Sequence, residues 1–99
     1  MNNLELKIKS TALKDMEKIA DYIANDNKSA ALEMLKLFYQ SFNDLCNYPQ
    51  IGVVRKDLTY KNVRFLKVYK HYLIIYSFDK ENIYILRVLS NYQNICKLI

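Results

Sequence analysis

The chain has 99 residues, 52% of them hydrophobic, with one glycine and one proline. Intrinsic disorder requires the opposite balance of residues, so this composition excludes it and predicts order nearly from end to end. The length favours a single domain over residues 1–99, with one two-layer core and little room for an enclosed active-site cavity. We therefore expect function to lie on a face or in a groove.

Neither the apolar segments nor the cysteines indicate a membrane, secreted or metal-binding protein. The longest apolar run, residues 72–76, is far shorter than the ~20 residues that span a bilayer, and the first residues do not resemble a signal peptide. Cys46 and Cys96 form neither a metal-ligand spacing nor a disulfide framework, which suits free thiols in a reducing cytoplasm. We expect a cytoplasmic protein without membrane contact, metal or cofactor.

The N-terminal residues predict a strand followed by a helix. Leu4, Leu6 and Ile8 alternate with charged residues, as in a half-buried strand. Ser10 and Thr11 then offer an N-cap for the helix. From residue 12 the apolar residues recur at helical spacing, and the stripe consists of Ala12, Met16, Ile19 and Ile23.

A second and longer helix follows after a short polar break at residues 25–27. Asp26 or Asn27 can cap this helix, and Pro49 disfavours its continuation. So short a connection forces the two helices to run antiparallel as a hairpin. The apolar stripe of the second helix consists of Ala31, Leu35, Phe38, Phe42 and Leu45.

The C-terminal half predicts a three-stranded antiparallel meander. Residues 49–61 have no periodicity and are expected to form a loop, whereas residues 63–69, 72–78 and 83–89 are rich in β-forming residues. Tight turns are expected at 70–71 and 79–82. The predicted fold class is α+β: an N-terminal strand, an antiparallel helical hairpin and the meander, forming one four-stranded sheet covered on one face by the helices. The pattern leaves open which edge the first strand occupies.

Positive charge is concentrated in the second half of the chain. Residues 1–50 carry six lysines and seven acidic residues, whereas residues 51–99 carry nine basic residues and three acidic ones, a balance of +6. Such a patch attracts anionic partners, although a sheet edge kept soluble by lysine would show the same bias. The cluster consists of Arg55, Lys56, Lys61, Arg64, Lys67 and Lys70, against Asp57.

Several segments, in this order and at these distances, resemble the RelE/ParE family of toxins, and the resemblance covers nearly the whole chain. The first helix is similar to the Ala-x-x-Asp-Leu-x-x-Ile-x-x-Tyr-Ile pattern of the ParE-like branch, with Met16 at the leucine position. Pro49 and Gly52 match the Pro-x-x-Gly stretch after the second helix. Residues 63–64, 72–76 and 85–89 resemble the family's basic strand, Tyr-Leu-Ile-x-Tyr strand and last strand.

This resemblance implies a growth-inhibiting toxin of a bacterial type II toxin–antitoxin system, neutralised by a cognate antitoxin in a hetero-oligomer. RelE-like members cut messenger RNA in the ribosome. ParE-like members poison DNA gyrase and are not known to carry a self-contained active site. A non-toxic protein-binding module of the same fold is the third alternative.

The segment after the last strand favours gyrase over messenger RNA. RNA cleavage needs groups that move protons and stabilise a charged phosphate, yet residues 90–96 contain no Arg, Lys or His. The prediction therefore leans against an enzyme, and the RelE-like endoribonuclease remains the alternative. In that case the catalytic candidates are Arg64, Arg87 and Tyr92, whereas His71, at a predicted turn, is expected to be an ordinary exposed residue.

Four basic residues are the candidates for contact with the target: Lys61, Arg64, Lys67 and Arg87. The planar guanidinium of arginine matches phosphate or carboxylate, although an ion pair of either arginine with Glu81, Asp79 or Glu5 across the sheet is equally compatible. A two-residue turn at 70–71 would pair Leu66 with Ile75 and place Arg64 on the face of Leu73 and Ile75. A register shift of one residue would move Arg64 to the other face.

Overall fold

The computed structural model describes residues 3–57, 61–69 and 71–90, so Tyr92 and Cys96 lie outside the described residues. The elements follow the predicted order, strand, two helices and three strands, which confirms the α+β fold class. They are β1 (Glu5–Ile8), α1 (Ser10–Ala24), α2 (Lys28–Asn47), β2 (Arg64–Val68), β3 (Tyr72–Phe78) and β4 (Asn82–Ser90).

The four strands form one sheet in the order β1-β4-β3-β2. The last three strands are the predicted antiparallel meander. β1 pairs in parallel with the first half of β4, with Glu5 opposite Asn82 and Ile8 opposite Ile85. The sheet is therefore mixed, β1 and β2 are its edges, and the second half of β4 extends beyond the end of β1.

The helical hairpin packs on one face of this sheet and forms the main core with it. Phe38, Phe42 and Leu45 of α2 are fully buried, as are Ile74 and Ile85 of the sheet. On the opposite face, a second buried cluster consists of Val63, Phe65, Ile75 and Leu89. The sheet thus buries apolar side chains on both faces, and the sequence analysis had predicted cover on one face only.

One of the two predicted helix caps forms. The side chain of Asn27 accepts a hydrogen bond of 3.1 Å from the Ala30 amide at the start of α2. The prediction of a cap at Ser10 or Thr11 is wrong, because Lys9 occupies the cap position of α1 and makes no side-chain cap bond. The Thr11 hydroxyl instead donates to the Leu86 carbonyl of β4, at 3.0 Å.

The predicted register between β2 and β3 is wrong by one residue. Leu66 lies opposite Ile74, and the last pair is Val68 with Tyr72, so three residues rather than two connect the strands. Tyr69, at the start of this connection, has a φ of 57°, in the left-handed region. Arg64 consequently lies opposite Tyr76, on the face that carries the helices.

Within the described ranges, no helix is both long and apolar enough to cross a membrane.

Candidate functional site

Arg87 is held by α1 rather than by the sheet residues considered above. Its Nε and Nη2 donate to the two carboxylate oxygens of Asp15, at 2.7 and 2.9 Å. The same carboxylate accepts the Val88 amide at 3.0 Å. Hydrogen bonding to Asp15 raises the pKa of the Arg87 guanidinium above its ordinary value. Because Asp15 lies on α1 and Arg87 on β4, the ion pair joins these two elements.

Arg64 holds the segment that follows α2. Its Nη1 donates to the Gly52 carbonyl at 2.9 Å and to the Gln50 carbonyl at 3.3 Å. The guanidinium also lies 5.8 Å from the centre of the Phe78 ring, within the range of a cation–π contact. Arg64 and Arg87 therefore contact different elements.

Tyr76 of β3 holds the same segment through its hydroxyl group. Its hydroxyl donates to the Pro49 carbonyl at 2.7 Å and accepts the Gly52 amide at 2.9 Å, and both bonds are buried. Burial raises the pKa of this hydroxyl, against smaller opposing effects of the Gly52 amide and the charge of Arg64. A Cβ on Gly52 would lie 2.5 Å from the hydroxyl oxygen, so only glycine fits here.

A β-bridge completes the attachment of this segment to the sheet. The Val53 amide donates to the Phe65 carbonyl at 2.9 Å, and the Phe65 amide donates back at 2.8 Å. We call residues 48–56 the pinned loop. Sequence reasoning predicted a loop here but missed its anchors, although the single glycine of the chain was a signal that one position needs close approach.

The pinned loop presents apolar and basic side chains to solvent. Its four exposed large apolar residues are Tyr48, Ile51, Val53 and Val54. Arg55 and Lys56 follow directly and are exposed, and Arg55 forms an exposed ion pair with Asp57. Lys61 and Lys67, two of the predicted target-binding residues, are also exposed.

At the opposite end of β2 and β3, an open groove separates the helical hairpin from the sheet. It has two adjoining parts of about 300 and 400 Å³, which share Tyr72. We call it the hairpin groove, and its main apolar and aromatic lining comes from Ile19, Tyr22, Ile23, Met34, Leu37, Tyr69 and Tyr72. His71 lines it as well, with ring contacts to Tyr69 and Tyr72.

The described residues do not assemble the RNase candidates into one cluster. Arg64 contacts the pinned loop, Arg87 contacts α1, and Tyr92 lies outside the described residues. Among the residues that the structure covers, no three His, Cys, Asp or Glu side chains are grouped so as to hold a metal ion.

Solved structures share this fold. A chain of the chromosomal ParDE TA system from P. aeruginosa superposes with a TM-score of 0.73 at 21% identity, over 89% of this chain and 96% of that one. A conserved hypothetical protein from Helicobacter pylori superposes with a TM-score of 0.51 at 15% identity, over 91% of this chain and 97% of that one. A search of curated proteins found no match.

The fold and the sequence together define the class: the chain is a toxin of the type II toxin–antitoxin class. Residues 6–95 match the family model described as the ParE toxin of the type II toxin-antitoxin system parDE. The chain therefore belongs to the ParE toxin family, which confirms the resemblance to the ParE-like branch.

Proposed function

We propose that this ParE toxin inhibits DNA gyrase in the cytoplasm and that a cognate antitoxin neutralises it by occupying the hairpin groove. Membership of the ParE family supports the toxin–antitoxin pairing, since such systems consist of these two components. The groove supports the binding mode, because it is open, mainly apolar and rich in aromatic residues, as in sites that take an amphipathic helix or strand of a partner.

The antitoxin contact is tested at two groove residues that are accessible in the toxin alone. Tyr22 is 78% exposed and Leu37 is 37% exposed, so both are accessible to a partner, and substituting both with serine removes apolar contact area from the groove. Urea unfolding verifies that the variant is folded. We expect the antitoxin from the adjacent gene to bind this variant roughly tenfold more weakly, because a few buried apolar anchors dominate such interfaces.

The matched control for this test is Leu32→Ser, since Leu32 lies on α2, is 63% exposed and does not line the groove. Isothermal titration calorimetry on the purified proteins gives the dissociation constants. Equal affinities for the groove variant and wild type would exclude the groove as the antitoxin site. If no adjacent gene product binds the wild type, the pairing itself fails.

The target is tested with purified gyrase. We propose that Lys61 and Lys67 contact it directly, and that Arg64 and Arg87 support the surface through the pinned loop and α1. In a supercoiling assay, wild-type toxin is expected to inhibit gyrase or trap cleavage complexes, and Lys67→Glu to inhibit less. Full inhibition by Lys67→Glu would remove that residue from the contact. Cut messenger RNA on translating ribosomes would instead identify the RelE-like endoribonuclease activity.

A further inference from the structure

The pinned loop exposes four large apolar side chains to solvent. Tyr48, Ile51, Val53 and Val54 are 58, 49, 57 and 41% exposed, and they fall within seven consecutive residues. Isolated exposed apolar residues are ordinary, but four within one short segment of a small protein are a candidate interaction site.

The chain holds this exposed group in one conformation. The Tyr76 hydroxyl bonds to residues 49 and 52, Arg64 bonds to residues 50 and 52, and a two-way bridge joins Val53 to Phe65. A surface that is already ordered loses little conformational entropy on binding, which favours affinity. These anchors therefore present the apolar side chains ready for contact.

The charges around the loop identify the chemistry of the occupant. Arg55 of the loop and the neighbouring Asp57 form an ion pair that carries no net charge. Lys56 of the loop and Lys67 on the strand to which the loop is bridged are exposed, and they give the surface its positive charge. A nucleic acid would neutralise the cations but would leave the aliphatic side chains without a matching surface, since its contacts are mostly to phosphate. A protein face with an apolar patch bordered by carboxylates satisfies both features.

We propose that the pinned loop is the surface through which this toxin binds its protein target, and that the target contributes an apolar patch bordered by carboxylates. The inference rests on the proposed function for the identity of that target, DNA gyrase. The loop lies at the Arg64 and Tyr76 end of the sheet, whereas the hairpin groove lies at the Tyr72 end. Target and antitoxin thus have separate primary surfaces.

The test compares loop variants with matched controls in binding to purified gyrase. The first variant, Ile51→Ser with Val54→Ser, removes apolar contacts, and the second, Lys56→Glu, reverses one exposed charge. Leu32→Ser and Lys36→Glu make the same changes on the exposed side of α2. Each loop variant is expected to bind gyrase at least roughly tenfold more weakly and to lose growth arrest, while the controls stay within about twofold of wild type.

Two measurements keep the outcomes distinguishable. Urea unfolding of each variant verifies the fold, and because Lys56 is an exposed side chain, its variant tests the surface even if the double variant is unstable. Affinity for the antitoxin is measured alongside, and it is expected to change little. If the loop variants lose only the antitoxin, or bind gyrase like wild type, the inference is overturned.

If wild-type toxin does not bind gyrase, the proposed function fails and growth arrest decides the inference. A folded loop variant that no longer arrests growth supports the loop as the target surface, and one that still does overturns it. Affinity for a short DNA duplex is measured in the absence of gyrase. If wild type binds the duplex and the loop variants bind it more weakly, the loop is a nucleic-acid surface and the inference is overturned.

Discussion

The buried hydroxyl of Tyr76 anchors the pinned loop to the core. The side chain is fully buried, yet its oxygen makes two hydrogen bonds to backbone groups of the pinned loop. Buried polar groups need such partners, and these two partners are themselves buried backbone groups that would otherwise lose water without compensation. The loop and the core are therefore stabilised by the same atom.

Removing this hydroxyl is expected to destabilise the protein. Tyr76→Phe leaves the Gly52 amide and the Pro49 carbonyl without their partner, at a cost of about 1–3 kcal/mol in the free energy of unfolding. Urea denaturation measures the difference, and Tyr39→Phe, at an exposed residue, is the control. Equal stability of Tyr76→Phe and wild type would mean that water replaces the hydroxyl.

The same residue predicts a loss of stability in alkali. Burial raises the pKa of Tyr76 in the folded state above its unfolded value near 10. The unfolded chain therefore releases this proton first, so the contribution of Tyr76 is intact below pH ~10 and declines as the pH rises through the folded pKa. Unfolding free energies of wild type and Tyr76→Phe should converge with rising pH in that range, and a constant difference would contradict this prediction.

Gly52 is predicted to be intolerant of any side chain. The Cβ of Gly52→Ala would lie 2.5 Å from the Tyr76 oxygen and 2.6 Å from a ring carbon, so loop or ring must move. We expect a loss of about 1–3 kcal/mol, as for other overpacked sites. Because the two residues are in contact, Gly52→Ala with Tyr76→Phe should cost less than the sum of the single changes. Strict additivity in thermal or urea unfolding would argue against the clash.

At the scale of elements, α1 completes an edge of the sheet that β1 leaves open. β1 ends opposite Ile85, but β4 continues to Ser90. Beyond that point, Thr11 donates a hydrogen bond to the Leu86 carbonyl, and Asp15 accepts one from the Val88 amide. Side chains of α1 thus form hydrogen bonds with backbone groups that a neighbouring strand would otherwise pair with. An exposed strand edge invites pairing with other chains, and α1 covers this one.

We expect the Asp15–Arg87 ion pair to contribute much of the stability of the contact between α1 and β4. Its side chains are only 12 and 23% exposed, so Asp15→Asn removes the Asp15 carboxylate charge from beside a largely buried guanidinium. We expect a loss of about 1–3 kcal/mol, discounted for the remaining exposure. Asp21→Asn, on the exposed side of the same helix, is the control. A double-mutant cycle with Arg87→Gln should show coupling between the two sites, and its absence would mean that the pair is energetically neutral.

At the scale of the whole molecule, the two halves of the chain differ in secondary structure and in charge. The first half supplies the helical hairpin and is almost neutral, whereas residues 51–99 carry a balance of +6 and contain the meander and most of the pinned loop. The groove and the pinned loop lie at opposite ends of β2 and β3. This arrangement places the two proposed binding surfaces, which differ in character, at separate ends of one small domain.

The charge asymmetry predicts a salt dependence for target binding. A positively charged surface accelerates association with an acidic partner, and salt screens this effect. Between 50 and 300 mM salt, we expect the association rate with gyrase, the proposed target, to fall about tenfold while the dissociation rate changes less. Surface plasmon resonance measures both rates. An association rate independent of salt would show that the basic half does not steer the encounter.

The secondary-structure elements could be predicted from the sequence, because their signals are local. The stripe from Ala31 to Leu45 predicted α2, Asn27 was among its predicted caps, and the meander followed from runs of β-forming residues. Periodicity and capping depend only on neighbours within a turn or two, so they can be read along the chain. The concentration of positive charge was equally visible.

Strand register, the edges of the sheet and the partners of the arginines became clear only from the tertiary structure. Leu66 faces Ile74 because the connection at 69–71 is one residue longer than predicted, and that one residue places Arg64 on the helical face. Arg87 pairs with Asp15, 72 residues away, and Tyr76 holds a loop 24 residues before it. Such contacts depend on which elements lie side by side after folding, and no local pattern in the chain encodes that proximity.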